Sequence, residues 1–119
     1  MPVGCAYYVS TLVSEGMDEA GGEGAEFRVA SNAEFLRQGS AVHDSLFPDR
    51  VVVGTDSREA LDALRTLYAP IVEQSFPTEW DPRPKVAVPF VTADLASAEM
   101  IKYAANAFLA TKSCCAGSR

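Results

Sequence analysis

Two polar residues near the C-terminal end of the chain are spaced so that they could act on one ligand. Lys102 and Asn106 stand four residues apart, and side chains at that spacing are neighbours on one face of a helix. An ammonium and an amide placed in this way could converge on an oxygen-rich group. Glu99 falls on the same stripe, and a polar stripe is also typical of a solvated helix face. Taken alone, the pattern favours the solvated face.

A carboxylate in an apolar segment is the second candidate for chemistry. Glu34 is followed directly by Phe35 and Leu36, and a carboxylate with apolar surroundings is suited to act as a general base. Most glutamates are nevertheless exposed and have no catalytic role. Neither candidate decides the function by itself.

A group of glycines carries a weaker signal. Gly21, Gly22 and Gly24 invite comparison with a dinucleotide-binding loop, but the G-x-G-x-x-G pattern requires a glycine where Phe27 stands. An acidic stretch precedes these glycines, and it would repel a pyrophosphate. We therefore expect a plain turn here.

Histidine and cysteine do not form a recognisable site. His43 is the only histidine and stands beside Asp44, but no nucleophile lies near it in the sequence, so a surface or capping role is expected. Cys5, Cys114 and Cys115 are the three cysteines, and their number and spacing favour neither a disulfide framework nor a metal pair. We predict no metal site and a reducing, cytoplasmic location.

Length and charge exclude several classes of protein. The 119 residues leave room for one domain. Ten basic and 16 acidic residues give a net charge of −6, and this argues against a nucleic-acid partner because such affinity depends on neutralised phosphates. No window reaches the roughly 18 apolar residues of a membrane span, so no membrane partner is expected.

Hydrophobic periodicity predicts strands that alternate with helices. The β-branched run RVVVG at 50–54 is typical of a strand buried on both faces. Asp56 and Glu59 predict the capped start of the next helix, and Pro70 marks its last turn or end. The expected elements are, in order, a helix within 2–20, a strand at 27–31, a loop with short helical turns at 32–49, the strand at 50–54, the helix after Asp56, an irregular segment at 73–85, an edge strand at 86–92 and a helix capped by Asp94. This order predicts an α/β domain with a mostly parallel sheet.

Four segments, read together, resemble the UDP-glucose 6-dehydrogenase branch of the nucleotide-sugar dehydrogenases. They are VASNAEFLRQGSAVHD at 29–44, PDRVVVGTDSREAL at 48–61, LYAP at 67–70 and SAEMIKYAANAFLATK at 97–112. Their order and spacing match those of the family over most of the chain after Phe27. Before that point, only the residues PVG at 2–4 match the family's strand end STVPVG.

The resemblance implies a partial Rossmann-type fold and an NAD-dependent oxidoreductase. Members of the family oxidise the C6 alcohol of a UDP-sugar to a carboxylate with two NAD⁺, through a thioester on an essential cysteine, and the intact proteins are homodimers. On this basis residues 1–93 belong to the NAD-binding domain, and residues 94–119 begin the central dimerisation helix. NAD is the implied cofactor, and a UDP-sugar is the implied substrate.

The resemblance also assigns roles to single residues. Glu34 matches the glutamate that acts as base or activates water in thioester hydrolysis. Lys102 matches the lysine that stabilises an oxyanion at C6, and Asn106 matches the asparagine that orients the same group. An oxyanion requires a fixed cation and a dipole, so these residue types suit the chemistry. The stretch that cradles the nucleotide sugar corresponds to Phe35, Leu36 and Arg37, and the position that faces the cofactor corresponds to Gln38.

The chain departs from the family pattern in ways that bear on activity. Ala33 stands where the family has proline, and Gln38 replaces a second glutamate, so that position keeps hydrogen bonding but loses the charge. Neither a cysteine segment of the GGSCFPKD type nor the first glycine fingerprint occurs in the 119 residues. We therefore expect a truncated internal fragment that is inactive alone, because a thioester requires the cysteine.

Two alternatives remain open. The chain could be a non-catalytic interaction or dimerisation remnant that pairs through its last helix. It could also be a fragment of a GDP-mannose or UDP-N-acetylhexosamine dehydrogenase, because most contacts to the base and sugar lie outside the matched segments.

Overall fold

The computed structural model describes residues 2–21, 26–77 and 87–116. Within these ranges three strands form one sheet in the order β1-β2-β3. The elements in chain order are α1 (Cys5–Glu19), β1 (Ser31–Ala33), α2 (Ala41–Leu46), β2 (Val51–Gly54), α3 (Arg58–Val72), β3 (Phe90–Ala93) and α4 (Leu95–Ala116). The predicted α/β class is confirmed. The expected turn at Gly22 and Gly24 and most of the irregular segment at 73–85 lie outside the described residues.

The described sheet is mixed, whereas a mostly parallel sheet was expected. β2 is the central strand; it pairs in parallel with β3 and antiparallel with β1. The connection from β1 to β2 holds only α2, which has six residues, and a parallel crossover usually needs a longer helix. The 15-residue helix α3 provides such a crossover between β2 and β3.

Both faces of β2 are covered, as the β-branched run predicts. All four of its residues are buried. On one face Val52 packs with Ala33 and Ala98, a group that we call the α4-side cluster. On the other face Val51 and Val53 pack under α3 together with Val88, which precedes β3, and we call these three residues the α3-side cluster. β2 is therefore the centre of the core.

The outer strands are shorter than the sequence predicts. A strand was expected at 27–31, but β1 begins at Ser31, which pairs with Gly54 at the end of β2. The preceding residues lie beyond the end of β2 and have no strand residue to pair with. A strand was also expected from residue 86, but β3 begins at Phe90. Pro89 lacks a backbone N–H and cannot take part in a full ladder.

The N-cap of helix α3 lies one residue later than the sequence predicts. Ser57 is the N-cap, and its side chain accepts a hydrogen bond from the amide of Ala60 at 3.3 Å. The carboxylate of Asp56, the predicted cap, instead accepts a hydrogen bond from the Tyr7 hydroxyl at 2.9 Å. Pro70 lies in the last turn of α3, as expected.

Helix α4 is fixed closely to the sheet at its start. Asp94 caps it as predicted, accepting hydrogen bonds from the amide and hydroxyl of Ser97 at 2.8 and 2.7 Å. A Cβ added at Gly54 would lie 2.4 Å from the Cβ of Ala98 and 2.6 Å from the carbonyl oxygen of Asp94. The approach of α4 to β2 therefore requires glycine at position 54.

The helices leave much apolar surface exposed. Helix α1 forms within the expected range, but Tyr8 is 64% exposed, and Ala6 is the one buried residue of the helix. In α4, Phe108 is 72% exposed and Leu109 is 59% exposed. None of the helices in the described ranges is both long and apolar enough to cross a bilayer.

The boundary expected between the domain at 1–93 and the helical part from residue 94 stays a prediction.

Candidate functional site

The structure brings together two of the residues to which the sequence assigns chemistry. The amine of Lys102 donates a hydrogen bond to Oε2 of Glu34 at 2.9 Å, across 68 residues of sequence. Glu34 directly follows β1, and α4 packs against both β1 and β2, so the end of the strand meets the second turn of the helix. The Glu34 side chain is 55% exposed and the Lys102 side chain is 37% exposed, so a ligand can reach both.

Asn106 lies one helical turn beyond Lys102 and is exposed. Among the residues that the structure describes, the Asn106 side chain has no hydrogen-bond partner. Its amide is therefore available to a ligand that contacts Lys102, since the two side chains share a helix face.

The segment after Glu34 is anchored at its first residue. Phe35 packs against the α4-side cluster, and the guanidinium of Arg50 lies 4.6 Å from the centre of its ring. Leu36 is 45% exposed. Gln38, the predicted cofactor contact, lies in an exposed turn with Gly39, whose φ of 88° favours glycine.

The loop that continues this segment is closed by Arg37 and Asp44. The guanidinium of Arg37 donates two hydrogen bonds to the Asp44 carboxylate at 2.7 and 3.0 Å, and its backbone amide donates a third at 2.9 Å. The Ser40 hydroxyl adds a fourth at 3.0 Å. The bonds from Arg37 hold the pKa of Asp44 well below its usual range. These four hydrogen bonds join the loop at Arg37 and Ser40 to Asp44 in α2.

Within the described residues, His43 contacts Asp44 and Phe47. Nδ1 of His43 lies 3.7 Å from the Asp44 carboxylate, but that carboxylate is bound mainly by Arg37. The imidazole packs against Phe47, with the ring centres 5.1 Å apart, and its side chain is 53% exposed. These contacts agree with the expected surface role.

A groove of about 520 Å³ lies apart from these residues. It contains the hydrogen bond from the Tyr7 hydroxyl to Asp56, which raises the pKa of Tyr7. Its charged walls carry both signs, since Arg28 and Glu59 form an ion pair at 3.4 Å. None of the predicted site residues lines this groove.

Sequence reasoning missed the burial of Glu99. It was grouped with Lys102 and Asn106 on a polar stripe, but it is only 6% exposed and contacts the start of α1. A signal was present at the other end of the chain. Helix α1 follows Gly4, and no Ser, Thr, Asp or Asn stands there to cap it, so an acceptor from elsewhere was required.

The pair of Glu34 and Lys102 can act on an oxygen-bearing ligand in two ways. An ammonium stabilises negative charge that develops on a bound oxygen. A carboxylate beside it can accept a proton from an alcohol or from water. Because the pair is partly open to solvent, a ligand oxygen can approach both groups at once.

The chain matches the model of a known domain. Residues 1–72 match the NAD binding domain of the UDP-glucose/GDP-mannose dehydrogenase family. A UDP-glucose 6-dehydrogenase of Rickettsia felis is 44% identical over 93% of the chain, and one of Bacillus subtilis is 38% identical over 94%. The chain spans about a fifth of the length of these curated relatives, 20% and 21% respectively.

Solved structures show the same similarity. A UDP-glucose dehydrogenase from Pyrobaculum islandicum matches with a TM-score of 0.61 and 37% identity, over 83% of this chain and 19% of that one. A ternary complex of a GDP-mannose dehydrogenase from Pseudomonas aeruginosa matches with a TM-score of 0.66 and 27% identity, over 94% and 22%.

Proposed function

The chain belongs to the UDP-glucose/GDP-mannose dehydrogenase family, and we propose that it forms part of the sugar site of a UDP-glucose 6-dehydrogenase. The observation that carries this proposal is the contact between Glu34 and Lys102 at 2.9 Å. Two chemically complementary groups meet there although 68 residues separate them. Two relatives that are 44% and 50% identical are named as UDP-glucose 6-dehydrogenases.

In the proposed site Lys102 stabilises negative charge on the oxygen at C6 of the sugar, and Asn106 orients that oxygen. Glu34 accepts a proton from the alcohol or from the water that attacks the thioester. The segment of Phe35, Leu36 and Arg37 contacts the nucleotide sugar. These roles depend on the partial exposure of Glu34 and Lys102 and on the hydrogen bonds that join Arg37 to Asp44.

NAD is the cofactor of the family, since the matched model is that of its NAD binding domain. When bound, NAD supplies the acceptor for the hydride from C6. The described residues fit the polar edge of such a molecule at Gln38, whose exposed amide can donate to and accept from hydroxyl or carboxamide groups. The 119 residues contain no G-x-G-x-x-G loop for a pyrophosphate, so we propose that they do not turn over substrate alone.

Titration of the chain with UDP-glucose, followed by NMR, tests the assignment. We expect the resonances of Glu34, Leu36 and Lys102 to shift, and we expect Lys102→Ala to remove these shifts. Lys112→Ala is the matched control, because it removes a lysine from the same helix without touching the pair. If UDP-glucose leaves these resonances unchanged, the proposed site is wrong. A stronger response to GDP-mannose or to UDP-N-acetylglucosamine would instead favour a sibling enzyme.

A second proposal concerns the exposed end of α4. Its apolar residues favour pairing with a second copy of the chain, as in the interaction module that the sequence leaves open; they are Tyr103, Phe108 and Leu109. We expect Phe108→Glu to lower the dimer fraction in analytical ultracentrifugation. A monomeric wild-type chain would contradict pairing.

We also propose a cytoplasmic location, in line with the cysteine content.

A further inference from the structure

Helix α1 begins without a capping side chain of its own. Its N-cap is Gly4, which has a left-handed conformation with φ of 97° and has no side chain that could accept a hydrogen bond from the helix. The first amides of a helix have no partner within the helix and need an acceptor from elsewhere. Here the acceptor comes from α4. The amides of Gly4 and Ala6 donate to Oε2 and Oε1 of Glu99 at 2.5 and 2.9 Å.

Glu99 is the one buried polar or charged residue in the described part of the chain, with 6% of its surface exposed. Both of its carboxylate oxygens accept a hydrogen bond from the first turn of α1, where the helix dipole favours a negative charge. Removal of the Glu99 carboxylate by substitution would leave these two amides without their acceptor, and buried polar groups without partners destabilise a fold. The mechanism proposed above does not use this carboxylate.

The position of Glu99 on α4 relates it to Lys102. At about 100° per residue, Glu99 and Ile101 lie on opposite sides of Lys102 around the helix axis. Ile101 packs against the α4-side cluster, whereas Glu99 binds α1. Between them, Ala98 is fully buried and close to Gly54. The contacts of Ile101 and Glu99 therefore lie on opposite sides of the point where Ala98 meets the sheet.

We propose that Glu99 is a positioning residue, which fixes the roll of α4 through α1 and so holds the Lys102 amine against Glu34. The contact with α1 is one helical turn from Lys102, so a rotation that frees Glu99 also carries Lys102 away from the end of β1. This role rests on the proposed function, in which the pair of Glu34 and Lys102 faces the sugar.

Carbodiimide coupling of the chain tests the proposal without substrate or cofactor. The reagent adds to a carboxylic acid to give an O-acylisourea, and an amine in contact with it then forms an amide bond as the reagent leaves as a urea with the carboxyl oxygen. At a separation of 2.9 Å, we expect a cross-link between Glu34 and Lys102, which mass spectrometry of the digested chain can quantify. In Glu99→Ala we expect its yield to fall roughly tenfold, the change that corresponds to a lost hydrogen bond to a charged group.

Two further variants separate positioning from a general loss of stability. Glu99→Gln keeps the size of the side chain and one acceptor oxygen, so we expect an intermediate yield, and it decides the test if Glu99→Ala does not fold. Leu64→Ala weakens the α3-side cluster on the far face of β2, and we expect it to keep the wild-type yield at a similar loss in Tm.

The outcomes distinguish this proposal from the one on which it rests. Wild-type yield in the Glu99 variants, or an equal loss in Leu64→Ala, would overturn the positioning role and leave the proposed sugar site intact. Absence of the cross-link from the wild-type chain would contradict the pairing of Glu34 and Lys102, and the proposed function would fail with it.

Discussion

Two ion pairs in this molecule differ in what holds them together. Arg37 and Asp44 are seven residues apart, and the chain between them is closed by four hydrogen bonds to the Asp44 carboxylate in α2, which is 11% exposed. Glu34 and Lys102 are 68 residues apart and share one hydrogen bond between two partly exposed side chains. The first pair maintains a local shape. The second is positioned by tertiary packing and has room to exchange its partner for a ligand.

The difference suggests how a site can be both defined and available. A carboxylate that already accepts four bonds has little capacity left for a substrate. A carboxylate with one bond to an amine retains free lone pairs and access to solvent. Arg37 lies three residues after Glu34, so the first pair supports the backbone that follows the carboxylate of the second pair.

The largest expected effect comes from Gly54→Ala, which should break the second pair and spare the first. The added Cβ would meet Ala98 and the backbone of Asp94 at 2.4 and 2.6 Å, so α4 must move away from β2. We expect the free energy of unfolding, measured in urea, to fall by about 3 kcal/mol, and the cross-link between Glu34 and Lys102 to be lost. The amide resonance of Arg37 should not move.

Gly16→Ala is the matched control for this substitution. Gly16 lies in α1 with no atom within 4 Å of an added Cβ, and alanine favours a helix over glycine by about 0.5–1 kcal/mol. We therefore expect slightly increased stability. An equal loss in both variants would show that the contact with α4 is not the cause.

A smaller effect is expected from pH, and it should act on the first pair. The hydrogen bonds from Arg37 lower the pKa of Asp44, so the stabilising contribution of the carboxylate is complete above the ordinary aspartate pKa, about 4. It is lost as the pH falls through the lower pKa of the folded chain. An NMR titration should show the Arg37 amide unchanged from pH 7 to about 4, with a change only below.

Asp44→Asn provides the reference for that titration. The amide cannot ionise and gives Arg37 a neutral acceptor, so we expect faster hydrogen exchange at Arg37 and no acid transition. Ser45→Ala, which removes a hydroxyl from the same short helix, should behave like the wild type. A wild-type midpoint at or above about pH 4 would contradict the closed loop.

The smallest expected effect is that of Lys102→Ala on stability. Exposed ion pairs contribute about 0–1 kcal/mol, so the free energy of unfolding should change by less than about 1 kcal/mol, and added salt should reduce the difference. The same variant should abolish the response to UDP-glucose. A large loss of stability would mean that the pair is structural, like that of Arg37 and Asp44.

Local features of the fold could be predicted from the sequence. The burial of β2 follows from its β-branched run, and the start of α4 follows from Asp94, because each depends on neighbouring residues. The antiparallel register of β1 and the late start of β3 could not be predicted in this way. Both depend on which residues pair with β2, since Ser31 pairs with Gly54 and Phe90 pairs with Val51. The pattern of the outer strands does not identify these partners.

The candidate site shows the same division. The stripe of Lys102 and Asn106 is visible in the sequence, but it does not reveal that the stripe meets Glu34; only the family resemblance related the two. Glu99 belongs to the same stripe and is buried, because α1 reaches it from the other end of the chain. Periodicity identifies a helix face, and it does not identify what covers that face.

The cap that α4 provides for α1 has a consequence for synthesis on the ribosome. The amides of Gly4 and Ala6 are synthesised before their acceptor, Glu99, which follows 95 and 93 residues later. At common elongation rates this delay is on the order of 10 s. During that interval the amides of Gly4 and Ala6 lack the Glu99 carboxylate, so the cap of α1 is completed only after the first turns of α4 have been made.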